Sequence, residues 1–374
     1  MVYLDYSATT PVNEEVLDSF CKATKTFIGN ANSLHTLGIE SKKMIDRATK
    51  QIASLLQVKE NELIYTSGSS EANNLAIKGI CFKYQNRGKH IITTQLEHSS
   101  ILEPLEYLKT LGFTVDYVSV TKDGRVDLEH LKKLMREDTI LVTIASVSSE
   151  LGIEQPIKEI AEIVKKYPKC FFHSDMTQSI GKIEIPLSYV DLASFSAHKF
   201  YGIKGIGCLV KKEKIELLPL IHGGESTSIY RSGTPALPLI VSLAKALRLA
   251  FTNLNQKIEY VTVLKQHLIS ELKKNPDIMI NSTDYSIPYI VNFSVTKVKP
   301  ETLLHALEQY EIYISTKSAC SSHSKESKAV FALTHDQERS SHSLRVSISA
   351  LTTKKEIDYF IEKLNLCLEK LMLR

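Results

Sequence analysis

The chain has 374 residues, 43% hydrophobic and 24% charged, a composition that suits a globular protein with a large core and two domains. Its net charge of +4 is small and dispersed, with no basic run interleaved with aromatics, which argues against a nucleic-acid partner. No apolar run reaches the roughly 18 residues of a membrane span, and the opening MVYLDYSATTPV carries no basic leader, so a cytoplasmic protein without a membrane partner is expected.

Residues 1–12 read as an extended arm, because Asp5, Thr9, Thr10 and Pro11 oppose a helix before Asn13. Asn13 is placed to cap a helix that has Glu14 and Glu15 in its first turn and runs to about residue 27. Residues 29–38, GNANSLHTLG, read as a loop and 39–56 as a long amphipathic helix. The pattern then alternates, with strands at 62–67, 90–94, 113–120, 139–146, 170–175 and 191–196. Helices fall between them at 71–86, 99–112, 128–138 and 157–167. This order predicts an α/β fold with a mostly parallel sheet, whose ligands sit beyond the carboxyl ends of the strands. Residues 235–274 read as nearly all helical. Strands at 286–295, 310–318 and 344–350 then alternate with helices at 300–309 and 353–372, forming a smaller α+β unit. The expected division is a large domain of residues 13–255 and a small one of residues 1–12 with 256–374.

The sharpest candidates lie at predicted strand ends. Residues 66–71, Thr-Ser-Gly-Ser-Ser-Glu, join a strand to a helix, and the amides and hydroxyls at Ser69 and Ser70 suit a phosphate cup. His98 follows the strand at 90–94, where an imidazole can stack on an aromatic ring. Asp175 ends another strand, and a buried carboxylate there needs a partner such as a protonated pyridine nitrogen. Lys199 follows the strand at 191–196 and precedes Gly202, Gly205 and Gly207, a setting that suits a Schiff-base lysine. Cup, ring, acid and lysine together describe a pyridoxal 5'-phosphate site. The six cysteines form neither a CxxC pair nor a zinc-ligand spacing, so no metal is expected. Five sit among apolar or helix-like neighbours, whereas Cys320 lies in the polar, serine-rich STKSACSSHSKES, where a thiol can react if its pKa is lowered.

With YLDYSATTPV, TSGSSEANNLAIKG, HSDMTQSIGK, SFSAHKFYGIKGIG, RSGTP, SACSSHS and SHSLRVSIS in order, the chain resembles the NifS/IscS-like cysteine desulfurases of the class V aminotransferase family from about residue 3 to 360. The resemblance implies a fold type I enzyme with a seven-stranded sheet, which takes sulfur from L-cysteine, leaves L-alanine and passes a persulfide to a sulfur-acceptor protein. It implies that Lys199 carries the cofactor, Asp175 pairs with the pyridinium, and His98 stacks on the ring and moves protons. Ser69, Ser70, Ser196 and His198 would hold the phosphate, with Thr234 supplied by the partner subunit of a homodimer. Gln178 would reach the ring's phenolic oxygen, Arg345 would grip the substrate carboxylate, and Asn30 and His35 would lie in the loop over the site. Cys320 would attack the substrate sulfur.

The chain departs from that pattern where Ser148-Ser149-Glu150 replaces Asn-Asn-Glu, so that Ser149 meets cofactor and substrate with a shorter side chain. Ser70 replaces a threonine, residues 223–228 lose an arginine, Ile203 replaces a proline, and Asn30-Ala31-Asn32-Ser33 replaces Asn-Pro-Ser-Ser. These departures keep two other readings open: a selenocysteine lyase or aminotransferase of the same fold, and a degenerate sulfur-relay scaffold.

Overall fold

The computed structural model describes residues 1–185, 187–316 and 326–372. Asn13 caps α1 (Glu14–Thr26) by accepting the Glu15 amide at 2.9 Å, after the two-residue strand β1 (Val2–Tyr3). The next helix, α2 (Thr36–Leu56), starts three residues before the expected point, because the His35 side chain caps it by accepting the Gly38 amide.

The alternating stretch folds as β2 (Leu63–Thr66), α3 (Ser69–Tyr84), β3 (His90–Thr93), α4 (Ser99–Thr110) and β4 (Thr114–Tyr117). It continues as α5 (Leu128–Leu134), β5 (Thr139–Thr143), α6 (Ile157–Val164), β6 (Phe171–Asp175) and β7 (Leu192–Ser196). A further strand, β8 (Gly207–Lys211), falls where the glycines read as a ligand loop. Gly205, at φ +91, turns the chain back so that β8 pairs antiparallel with both β7 and β2. The resulting seven-stranded order is β2-β8-β7-β6-β5-β3-β4, parallel except at β8. Its strands are buried on both faces, except at the β4 edge, which is why most read as continuous apolar runs. One apolar core joins a sheet face to α1, α2, α6 and α7 (Leu237–Phe251), and a second joins the opposite face to α3 and α4.

The helical stretch after 235 breaks at Asn253, which sits at φ 54, and α8 (Leu254–Leu272) leaves α7 at 65°. Then come β9 (Met279–Ile280), β10 (Ile290–Ser294), α9 (Pro300–Glu308) and β11 (Ile312–Tyr313). The chain ends with α10 (Lys328–Thr334), α11 (Gln337–Ser341), β12 (Ser343–Ser347) and α12 (Lys354–Met372). The short α10 and α11 lie where no element was expected. Over the described residues 310–316, the expected strand at 310–318 is regular at β11, which pairs with β1 rather than joining the β12-β10-β9 sheet. A third apolar core gathers Val2, Leu4 and Val147 with residues between 261 and 368. Along that separation we propose the division into 13–255 and 1–12 with 256–374. Among the described residues no single helix is long and apolar enough to cross a membrane.

Candidate active site

The six parallel strands of the large sheet end on one edge, and the side chains there face a cavity of about 270 Å3. It is lined by Ser69, Ser70, His98, Ser149, Asp175, Gln178, His198, Lys199 and Arg345, among others. A more open cleft of about 970 Å3, lined by Leu56, Ile180, Phe251 and neighbours, holds none of the expected site residues.

Asp175, the last residue of β6, is 7% exposed. Its carboxylate accepts the Thr177 amide at 2.9 Å on one oxygen and the Asn73 side chain at 2.8 Å on the other. Two donors leave lone pairs free on a carboxylate that faces the cavity. His98 caps α4, its Nδ1 accepting the Ser100 amide at 3.1 Å, so the neutral ring carries its proton on Nε2. Burial holds the His98 pKa below the usual histidine range, against the pull of Asp175. Neighbouring Glu97 is buried, and burial pushes its pKa up to about 8.

Ser69 and Ser70 open α3, whose first amides have no partner within the helix. Gly207 lets that turn approach, since a Cβ on it would lie 2.6 Å from the Gly68 backbone. Ser196, buried at the end of β7, turns its hydroxyl toward Gly68. His198 bonds Thr9 through Nδ1 at 3.1 Å, and burial, then Lys199, press its pKa down to about 4. The Lys199 Nζ donates to the carbonyls of Ser7 at 2.6 Å and Ala8 at 2.8 Å, so the amino-terminal arm forms a wall of the site.

Arg345, on β12, is 1% exposed. It donates to Asp5 Oδ1 and to the Ser149 carbonyl, each at 2.9 Å, and its Nε has no partner among the described residues. The backbone of Ser149 thus fixes Arg345 whatever its side chain does. Burial raises the Asp5 pKa and Arg345 opposes it. Gln178 donates to the Ser7 carbonyl at 3.0 Å and accepts from Lys182 at 2.7 Å.

Three expected residues stand apart. Thr234 is exposed, in a separate depression with Tyr65 and Arg231. Asn30 is exposed and closes its own loop by accepting the Asn32 amide at 3.0 Å, and His35 serves as the cap of α2. Cys320 lies outside the described residues. The described chain on either side reaches the site: Ser315 bonds the Arg345 backbone in both directions, and Ser327 bonds Glu150 at 2.5 Å. Sequence reading missed Asp5, Ser7 and Asn73, whose partners lie far along the chain, and Lys182, whose partner Gln178 lies four residues back. All four fall within stretches that carry the resemblance, YLDYSATTPV, TSGSSEANNLAIKG and HSDMTQSIGK.

The family model for aminotransferase class-V matches residues 2–360. A protein named cysteine desulfurase IscS from Dictyoglomus turgidum is 39% identical, over 99% of this chain and 95% of its own length. One of the same name from Buchnera aphidicola is 40% identical over 99% of this chain and 93% of its own. A solved structure titled NifS-like protein superposes with a TM-score of 0.93 at 35% identity, covering 98% of this chain and 99% of that one. The chain belongs to the class V aminotransferase family, in its NifS/IscS cysteine desulfurase branch.

Proposed function

We propose that the chain is a pyridoxal 5'-phosphate-dependent cysteine desulfurase that moves sulfur from L-cysteine to Cys320 and then to an acceptor protein. The observation that carries this reading is the meeting of Lys199, Asp175, His98, Ser69 and Arg345 on one cavity. The residues suit the cofactor. Asp175 keeps acceptor capacity for a pyridinium, the amides opening α3 suit a phosphate, and the Lys199 amine lines the same cavity. Ser70, Ser196 and His198 would complete the phosphate's partners, with Thr234 reaching across a homodimer, and Gln178 would meet the phenolic oxygen. When bound, the cofactor supplies an electron sink for the substrate's Cα.

The protein's own groups do the rest. Arg345 binds the substrate carboxylate through its spare donors, while Asp5 and Ser149 hold the guanidinium in plane. Lys199 takes and returns the proton at Cα. His98, neutral with its proton on Nε2, would pack against the bound cofactor and could donate from Nε2. Cys320 Sγ bonds the substrate sulfur as the bond between that sulfur and Cβ breaks, and reprotonation at Cβ releases alanine. Asn30 lies in the loop that the substrate would pass, a role that also needs the partner subunit. We place the enzyme in the cytoplasm.

Sulfide and alanine release from L-cysteine under reductant tests the reading. Wild type should release both and Cys320→Ala neither. Release from selenocysteine alone would favour the lyase, and absence of any turnover the scaffold.

A further inference from the structure

Lys182 follows the turn that carries Thr177 and Gln178, and it is 6% exposed. Among the described residues, the charged groups that bear on it most are Lys199 and Arg345, both cationic. Its described hydrogen bond is to Gln178 Oε1, at 2.7 Å. Burial, then Lys199 and Arg345, press its pKa down to about 7. A lysine buried beside two cations needs a reason.

The Gln178 amide supplies one. Its Oε1 is taken by Lys182, and Nε2 gives one proton to the Ser7 carbonyl at 3.0 Å. The second Nε2 proton remains for the cavity that Gln178 lines. The Ser7 carbonyl is shared, because Lys199 donates to it at 2.6 Å. When Lys199 leaves that carbonyl to hold the cofactor, Ser7 loses one of the contacts that fix it. Lys182 then remains as the group that decides which end of the amide faces inward, since its N–H bonds only the oxygen end.

We propose that Lys182 is a positioning residue, which locks the Gln178 amide so that an N–H rather than an oxygen meets the phenolic oxygen of the bound cofactor. This rests on the reading of the cavity as a pyridoxal phosphate site. A donor at that oxygen stabilises its anionic form, and so favours loss of the proton from the nitrogen that joins the cofactor to Lys199. Lys182 therefore sets the pH at which the cofactor's visible band changes.

The test is a pH titration of that band in cofactor-loaded wild type, Lys182→Met, Gln178→Met and the double variant, with melting curves beside it. Lys182→Met should raise the midpoint by about half to one pH unit, and should add nothing further in the Gln178→Met background. Lys182→Gln, with a shorter N–H donor, should give a smaller rise and stands in if Lys182→Met does not accumulate. A lowered melting temperature with an unmoved midpoint would make Lys182 a packing residue and overturn the proposal. So would independent, additive shifts. Wild type that shows no visible band would overturn the cofactor reading itself, and this inference with it.

Discussion

The two walls of the cavity are built differently. On the wall proposed for the cofactor, His98 and Asp175 are fixed by the amides two residues further on, at Ser100 and Thr177. On the wall proposed for the substrate, Arg345 is fixed by Asp5 and Ser149, 340 and 196 residues away. Local fixing ties a side chain to the end of one strand or helix, so its replacement should remove chemistry and leave the fold. Long-range fixing joins the arm, the large sheet and the small sheet, so its loss should cost binding and stability together.

The largest effect tests the first half of that contrast. Lys199→Ala should lower alanine formation from L-cysteine by about 10^4-fold or more. Its bonds to the Ser7 and Ala8 carbonyls of the arm span 192 and 191 residues but meet uncharged acceptors, so the denaturation midpoint should fall less than when a buried charge pair is broken. A Lys199→Ala protein that unfolds early would show that the cofactor wall also carries the fold.

Arg345→Ala tests the second half. The pair with Asp5 is buried, with side-chain exposures of 2% and 19%. Removing one partner strands the other charge at a cost of about 3–5 kcal/mol, read as a lower denaturant midpoint. The KM for L-cysteine should rise about 100-fold, equivalent to ~2.7 kcal/mol of lost binding. Adding Asp5→Ala should restore part of the stability and none of the binding. Equal stability of the wild type and Arg345→Ala would erase the distinction between the walls.

Asn73→Ala probes a long-range bond to the carboxylate on that wall. Asn73 is fully buried on α3 and reaches Asp175 across 102 residues. A hydrogen bond to a charged group contributes about 1.5–3 kcal/mol, so cofactor dissociation should be about tenfold or more weaker to resist, seen as faster loss of colour on dialysis. Unchanged retention would mean that the Thr177 amide alone orients Asp175.

The same contrast explains what could be read in the sequence. Lys199, Asp175, His98 and Ser69 were legible because each follows an apolar run that marks its strand. Residues 207–211 were not, because the glycines that let β8 turn back and approach Gly68 are also what a ligand loop requires. The helix start at Thr36 was missed because histidine is an unusual cap. Asp5 could not be read, since the partner that defines it, Arg345, lies 340 residues away and is set by packing, whereas Lys182 sits four residues from Gln178 and was passed over as one lysine among many.

The smallest predicted effect concerns Glu97, which stitches the cofactor wall together by accepting the Thr94 hydroxyl at 2.8 Å and the Ala145 amide at 2.9 Å. Burial first, and to a lesser extent Asp175, raise its pKa from 4.5 to about 8. The folded state therefore holds a proton at neutral pH that the unfolded chain releases above about 4.5. The stability tied to that proton is fully present below about pH 4.5 and is lost as pH rises through about 8. The slope of this one group is at most about 1.4 kcal/mol per pH unit. Urea unfolding of Glu97→Gln at about pH 5 and about pH 8 should show a smaller fall in stability than wild type, because the amide has no proton to lose. If Glu97→Gln keeps the full wild-type pH slope, Glu97 is ionised in the fold and the cofactor wall holds two adjacent charges instead of one.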